Sequence, residues 1–87
     1  MYRVVIESRV YKDLDKVPAA DLGKIYQSVE SLEADPRKLG SKKLKGYPDR
    51  YRLRQGQYRI IYSIFDAGKE VRILLVRHRK DVYDFLK

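Results

Sequence analysis

Apolar positions along the chain follow two rhythms, one of period two and one of period three to four. Residues 2–7, Tyr-Arg-Val-Val-Ile-Glu, are β-branched and aromatic and predict a strand. Residues 9–16 predict a short helix with Val10, Leu14 and Val17 along one side. A clearer helix starts near Pro18, a favoured first-turn residue, and carries Leu22, Ile25, Tyr26, Val29 and Leu32 on one stripe. Asp35-Pro36 ends it, because a residue before proline avoids the helical region. Residues 36–49 form a connector broken by Gly40, Gly46 and Pro48. Three strands follow over 50–55, 57–66 and 69–77, with Gly56-Gln57 and Ala67-Gly68 as tight turns between them. Residues 79–87 read as a short terminal helix or a tail, with Val82, Phe85 and Leu86 available to dock. The order β-α-α-β-β-β-α predicts an α+β domain. Its four-stranded, mostly antiparallel sheet would carry the N-terminal helix pair on one face.

The chain has 87 residues, enough for one domain with a small core. Its net charge of +8 is unevenly placed. Residues 1–35 carry 5 basic and 7 acidic side chains, residues 36–59 carry 9 and 1, and residues 60–87 carry 6 and 4. One segment therefore holds the imbalance, which points to a polyanionic partner, most often nucleic acid. Lys42, Lys43, Lys45 and Arg50 are its candidate RNA-contacting positions. The same charges would also serve to keep a loop solvated. Cysteine is absent, which removes disulfides and thiolate metal sites; one histidine and scattered carboxylates offer no metal set. No apolar run approaches the ~20 residues of a membrane span, and a cytoplasmic location is expected.

Candidate chemistry lies on the strands. Arg50, Arg52 and Arg54 share one face of their strand, with Tyr51 and Leu53 on the other. If Gly56-Gln57 is a two-residue type II′ turn, residue 54 pairs with 59 and 52 with 61. Arg54 then opposes Arg59, and like charges across a strand pair suggest an anion between them. A three-residue loop would move Arg59 to the other face. In strand 69–77, alternation groups Val71, Ile73, Leu75 and Arg77, and sets Arg72, Leu74, Val76 and His78 opposite. Arginines gathered at one end of a sheet can hold a phosphate by bidentate hydrogen bonds. Blander roles are open to each: a solvated edge for Arg52 and Arg54, surface pairing with Asp66 or Glu70 for Arg59, a structural role for His78, and an anchor for the terminal helix for Tyr83.

Leu44-Lys45-Gly46, Tyr51-Arg52-Leu53-Arg54, Gly56-x-Tyr58-Arg59-Ile60-Ile61-Tyr62 and His78-Arg79-Lys80-Asp81-Val82-Tyr83 together resemble the RelE/ParE superfamily of type II toxins, in its RelE-like mRNA interferase branch. The resemblance covers nearly the whole chain. It implies a small twisted antiparallel sheet with helices on one side. It also implies a ribosome-dependent endoribonuclease that cuts mRNA in the A site, needing neither metal nor cofactor. In that reaction the ribose 2′-oxygen attacks the adjacent phosphate, leaving a 2′,3′-cyclic phosphate and a 5′-hydroxyl. By the same resemblance, Arg52 and Arg54 match the two basic residues of the first hairpin strand, and Arg59 matches the phosphate-stabilising arginine. Arg77 matches the residue supporting the leaving group, and Tyr83 the residue that stacks on or orients a base. Well-known RelE enzymes have lysines where Arg52 and Arg54 stand. Guanidinium does not readily give up a proton, so these two suit an electrostatic clamp. His78, the one side chain whose ordinary pKa is near ~6.5, becomes the candidate acid or base. A RelB-like antitoxin, the ribosome and mRNA are the implied partners, and the complex with antitoxin is expected to be hetero-oligomeric. An acidic amphipathic antitoxin would cover the basic surface or displace the terminal helix. The competing readings are a ParE-like inhibitor of DNA gyrase without nuclease activity and a non-catalytic RNA-binding module.

Overall fold

A computed structural model describes residues 1–81. The elements run β1 (Arg3–Ile6), α1 (Val10–Asp15), α2 (Ala19–Ser31), β2 (Ser41–Lys43), β3 (Arg50–Gln55), β4 (Tyr58–Phe65) and β5 (Glu70–His78). The strands form one sheet in the order β1-β5-β4-β3-β2. β1 lies parallel to β5, and every other pairing is antiparallel.

The α+β class is as expected, with five strands rather than four. The addition, β2, comes from the basic connector and pairs Lys42 with Arg52 and Lys43 with Tyr51. Ser-Lys-Lys has neither apolar alternation nor strong strand propensity, so pairing with β3 decides its conformation. Lysines on such an edge also discourage pairing with another chain. Pro18 stands just before α2 with φ −57° and ψ 145°, and its carbonyl accepts from Asp21 N–H (2.9 Å) and Leu22 N–H (3.1 Å). α2 closes at Ser31, ahead of Asp35-Pro36. Arg79–Asp81 form a turn closed by Asp81 N–H to the His78 carbonyl (2.8 Å). The remainder of the expected terminal helix, Tyr83 included, lies outside the described residues.

Both helices cover one face of the sheet. Val10, Leu14 and Val17 next to α1 and Ile25, Val29 and Leu32 next to α2 are buried against Leu53, Ile60, Tyr62, Ile64, Val71, Ile73 and Val76. Each fully buried aliphatic side chain contributes roughly 1.5–3 kcal/mol. A smaller cluster of Ile61, Leu74 and Leu75, with Leu44 against it, forms on the other face. Division of β5 between the two clusters corrects the simple alternation expected for residues 69–77. Tyr62 pairs with Ile73 while Ile61 pairs with Leu75, so Leu74 is an extra residue in a β-bulge. Val71 and Ile73 therefore face the helices, as Val76 does, whereas Leu75 and Arg77 face away. The β4–β5 loop spans Asp66 to Lys69 rather than two residues, and Lys69, not Gly68, takes the left-handed conformation at φ 54°.

A polar network fastens the connector to the far end of the sheet. The Arg37 guanidinium donates to both Asp66 carboxylate oxygens (3.1 and 2.8 Å) and to Tyr51 Oη (3.2 Å), and Tyr2 Oη donates to Asp66 Oδ1 (2.7 Å). These donors hold the Asp66 pKa down at about 2, the bonds from Arg37 contributing most. Beneath them, Tyr62 Oη donates to the Pro36 carbonyl at 2.6 Å, and burial pushes its pKa up to about 12.

Tyr62→Phe leaves a buried carbonyl unsatisfied and is expected to cost about 1–3 kcal/mol in denaturant unfolding, with an unchanged denaturant slope. Asp66 has a folded pKa below its unfolded value near ~3.9. Its stabilisation is therefore present above about pH 4 and lost as the pH falls towards about 2. Asp66→Asn should melt below wild type at neutral pH, and the two melting curves should converge at pH ~2.

Candidate phosphate-directed site

Gly56 and Gln57 form the two-residue turn of the β3–β4 hairpin, with Gly56 at φ 58°, as the first position of a type II′ turn demands. The turn sets the register Gln55↔Tyr58, Arg54↔Arg59 and Arg52↔Ile61. On the other side of β4, Arg59 pairs with Arg77 and Tyr58 with His78. By register Arg54, Arg59 and Arg77 thus stand in a row across three strands, on the face away from the helices, while the Arg77 guanidinium reaches round the sheet edge to Asp13 of α1. Directly opposed side chains begin only ~4.5–5.5 Å apart. Lys42 and Arg52 form a second basic row beside Ile61, on the same face. Lys42, Arg52 and Arg54 also line a hollow of about 480 Å³ with Gly40 and Ser41.

Arg59 is the central member and is only 9% exposed. Its Nη1 donates to the carbonyls of Gly56 (3.1 Å) and Tyr58 (2.9 Å), so the turn that sets the register also steadies the cation. Asp66 and Glu70, open as surface partners from the sequence, are instead taken by Arg37 and by Arg3 with Arg72. Arg77 pairs with Asp13 of α1. Arg54 is exposed and Arg52 half-buried. The apolar cluster of Ile61, Leu74 and Leu75 floors this face, which lowers the local dielectric and strengthens attraction for an anion.

His78 lies on the helix side. Its ring meets Tyr58 edge-on (centroids 5.5 Å apart), and its Nδ1 accepts from Lys80 N–H at 3.2 Å, which leaves Nε2 as the protonated nitrogen of the neutral ring. It does not join the arginine row, but it shares with Arg77 a cleft of about 480 Å³ also lined by Asp13, Lys16, Tyr58 and Asp81. The other basic candidates divide. Lys43 pairs with Tyr51 and so points to the opposite side from Lys42. Lys45 lies in the loop after β2, and the Arg50 guanidinium stacks 4.9 Å from the Tyr47 ring, at the opposite end of β3 from Arg54. Tyr83 is outside the described residues. Among the described residues, no group of three histidine or carboxylate side chains is gathered to hold a metal ion.

Asp13 is the site residue that sequence reading missed. The available signal is a carboxylate on the apolar stripe Val10-x-x-Asp13-Leu14-x-x-Val17, where an unpaired charge would be costly.

Comparison with known proteins bears on this geometry. The family model of the ParE toxin of type II toxin-antitoxin systems matches residues 4–83. The chain belongs to the RelE/ParE superfamily of type II toxins. Two curated relatives come from Methanocaldococcus jannaschii. Its putative toxin RelE1 is 32% identical, with 94% of each chain covered. Its toxin RelE3 is 33% identical, with 95% of this chain and 97% of the relative covered. Among solved structures, the archaeal RelE–RelB complex from Pyrococcus horikoshii matches at 36% identity and a TM-score of 0.78, covering 90% of this chain and 94% of that one. The resemblance carried by the hairpin and tail motifs is thus supported, and the protein is a RelE-like toxin.

Opposed arginines should make Arg54 mildly unfavourable for folding. Arg54→Ala is expected to stabilise the protein by roughly 0.2–1 kcal/mol at low ionic strength. Inorganic phosphate should raise the melting temperature of wild type more than that of Arg54→Ala. Equal rises would place the anion away from the row.

Proposed function

We propose that this toxin is a ribosome-dependent endoribonuclease that cuts mRNA in the ribosomal A site by attack of the ribose 2′-oxygen on the adjacent phosphate. The observation that carries the reading is the register-locked row Arg54–Arg59–Arg77. The transition state of such a reaction concentrates negative charge on a crowded phosphorus centre. Preorganised cations on a water-poor floor stabilise that charge more than they stabilise the substrate. Arg59, braced by two carbonyls, is assigned to the non-bridging oxygens, and Arg77, at the strand end, to the leaving 5′-oxygen. Arg52 and Arg54 clamp the backbone on either side. Lys42, on the same face as Arg52, extends the path, with Lys43, Lys45 and Arg50 meeting ribosomal RNA from other directions. Tyr83 is assigned to the base by family resemblance alone. His78 is retained as the proton-transfer group, which requires the leaving oxygen to enter the cleft it shares with Arg77. Other RelE toxins are solved bound to RelB, which supports an acidic antitoxin of that type as the partner of this chain.

The family model's description as a ParE toxin favours one second reading, a gyrase inhibitor that binds protein and cuts nothing. Primer extension on a defined mRNA with and without programmed ribosomes separates the two. Cuts are expected only with ribosomes, with the rate falling by about 10²–10³ in Arg59→Ala and Arg77→Ala. An intact message throughout, with loss of gyrase supercoiling, would establish the second reading. A near-wild-type rate for His78→Ala removes the imidazole from the mechanism.

A further inference from the structure

Asp13 stands where β1 stops covering the edge of β5. β1 pairs with β5 as far as Ile6↔Ile73, Glu7 N–H reaches the Ile73 carbonyl (3.2 Å), and the chain then turns into α1. Beyond that point no strand among the described residues lies beside the outer edge of β5, and its N–H groups need another acceptor. Asp13 supplies one: its Oδ2 accepts from Val76 N–H at 3.1 Å, while its Oδ1 pairs with the Arg77 guanidinium. The carboxylate is only 8% exposed and the Arg77 side chain 29%. One side chain thus fixes both the backbone just before Arg77 and the guanidinium of Arg77 itself.

We propose that Asp13 is the positioning residue for Arg77, holding that guanidinium in its working place throughout the reaction. This rests on the nuclease reading above. The alternative is a latch that must open before Arg77 can act. Opening would leave a desolvated carboxylate without its counter-charge, a loss worth about a hundredfold or more in rate. A guanidinium also has more donors than one carboxylate oxygen uses, so pairing with Asp13 and contact with a phosphate oxygen are compatible. The carboxylate removes the side-chain freedom of a long, flexible cation and offsets its repulsion from Arg59. Arg77 then meets the leaving oxygen as a fixed charge.

Single-turnover cleavage at saturating programmed ribosomes tests this, with circular dichroism and melting measured on each variant. Asp13→Asn keeps an acceptor for Val76 N–H and removes the charge. Its rate should fall about tenfold or more with the half-saturating ribosome concentration within about twofold of wild type, and the fall should vanish when Arg77→Ala is already present. Asp13→Glu keeps the charge but moves it by one methylene. It should also lose rate at unchanged half-saturation, and it carries the test if Asp13→Asn does not fold. A folded Asp13→Asn or Asp13→Glu that cuts as fast as wild type overturns the proposal. So does a loss of equal size with and without Arg77, which marks Asp13 as structural only. A faster variant shows a latch instead. No cleavage by wild type overturns the nuclease reading, and this role for Asp13 with it.

Discussion

Leu74 is one residue more than β4 can match, and the aim of Arg77 depends on it. Without the bulge, pairing outward from Tyr62↔Ile73 would set Val76 opposite Arg59 and Arg77 opposite Tyr58, on the helix face. With it, Arg77 falls opposite Arg59 and Val76 returns to the core. A shift of one residue moves every later side chain to the other side of a sheet, so a single insertion re-aims the whole strand end. The β3 side of β4 is governed by the Gly56-Gln57 turn, which brings Arg54 opposite Arg59. Two independent register devices, one on each flank of β4, thus meet at Arg59.

That convergence has an energetic consequence. Like charges in direct opposition destabilise a sheet, and nearby groups offset part of that cost. Two turn carbonyls brace Arg59 from below, and Asp13 meets Arg77 from the sheet edge. A phosphate entering the row would relieve the remaining repulsion. Under the proposed nuclease reading, stability given up in the free protein would become selectivity for an anion. Arginine fits this use better than lysine, because its planar fork tolerates partial desolvation and keeps its charge. Under the proposed nuclease reading, Arg52 and Arg54 would act through charge and geometry, and proton transfer would come from another group.

Most of the architecture was legible from period and turn chemistry. The α2 stripe, the period-two strands and the glycine-led turn each carry a local signal, and each appears near its expected place. The misses have one cause in common. β2, the Leu74 bulge and Asp13 are all set by neighbours distant in sequence. Ser-Lys-Lys becomes a strand because β3 offers a free edge. Leu74 is bulged by packing on both sides of the sheet. Asp13 is recruited by an edge that exists only because β1 is short. The Arg54–Arg59 opposition was readable because a two-residue turn makes it local. The place of Arg77 in the same row was not, since strict alternation puts it with Val71 and Ile73.

The two ends of β4 carry different arrangements of charge. At the Phe65 end, Arg37 is matched by Asp66, Arg3 and Arg72 by Glu70, and Arg9 by Glu7. Asp66 is pulled to about 2 and Glu70 is also lowered, as expected of carboxylates held by guanidinium donors. Of these ion pairs, Arg37–Asp66 fastens the connector to the sheet. At the Tyr58 end, Arg54, Arg59 and Arg77 cross three strands, and Asp13 pairs with Arg77. Screening shortens the reach of all these charges to about 10 Å in ordinary salt, so the balance of each end acts separately. On the nuclease reading proposed above, a polyanion would meet the arginine end, over the apolar floor of Ile61, Leu74 and Leu75. One sheet thus carries guanidinium–carboxylate pairs at one end and three aligned arginines at the other.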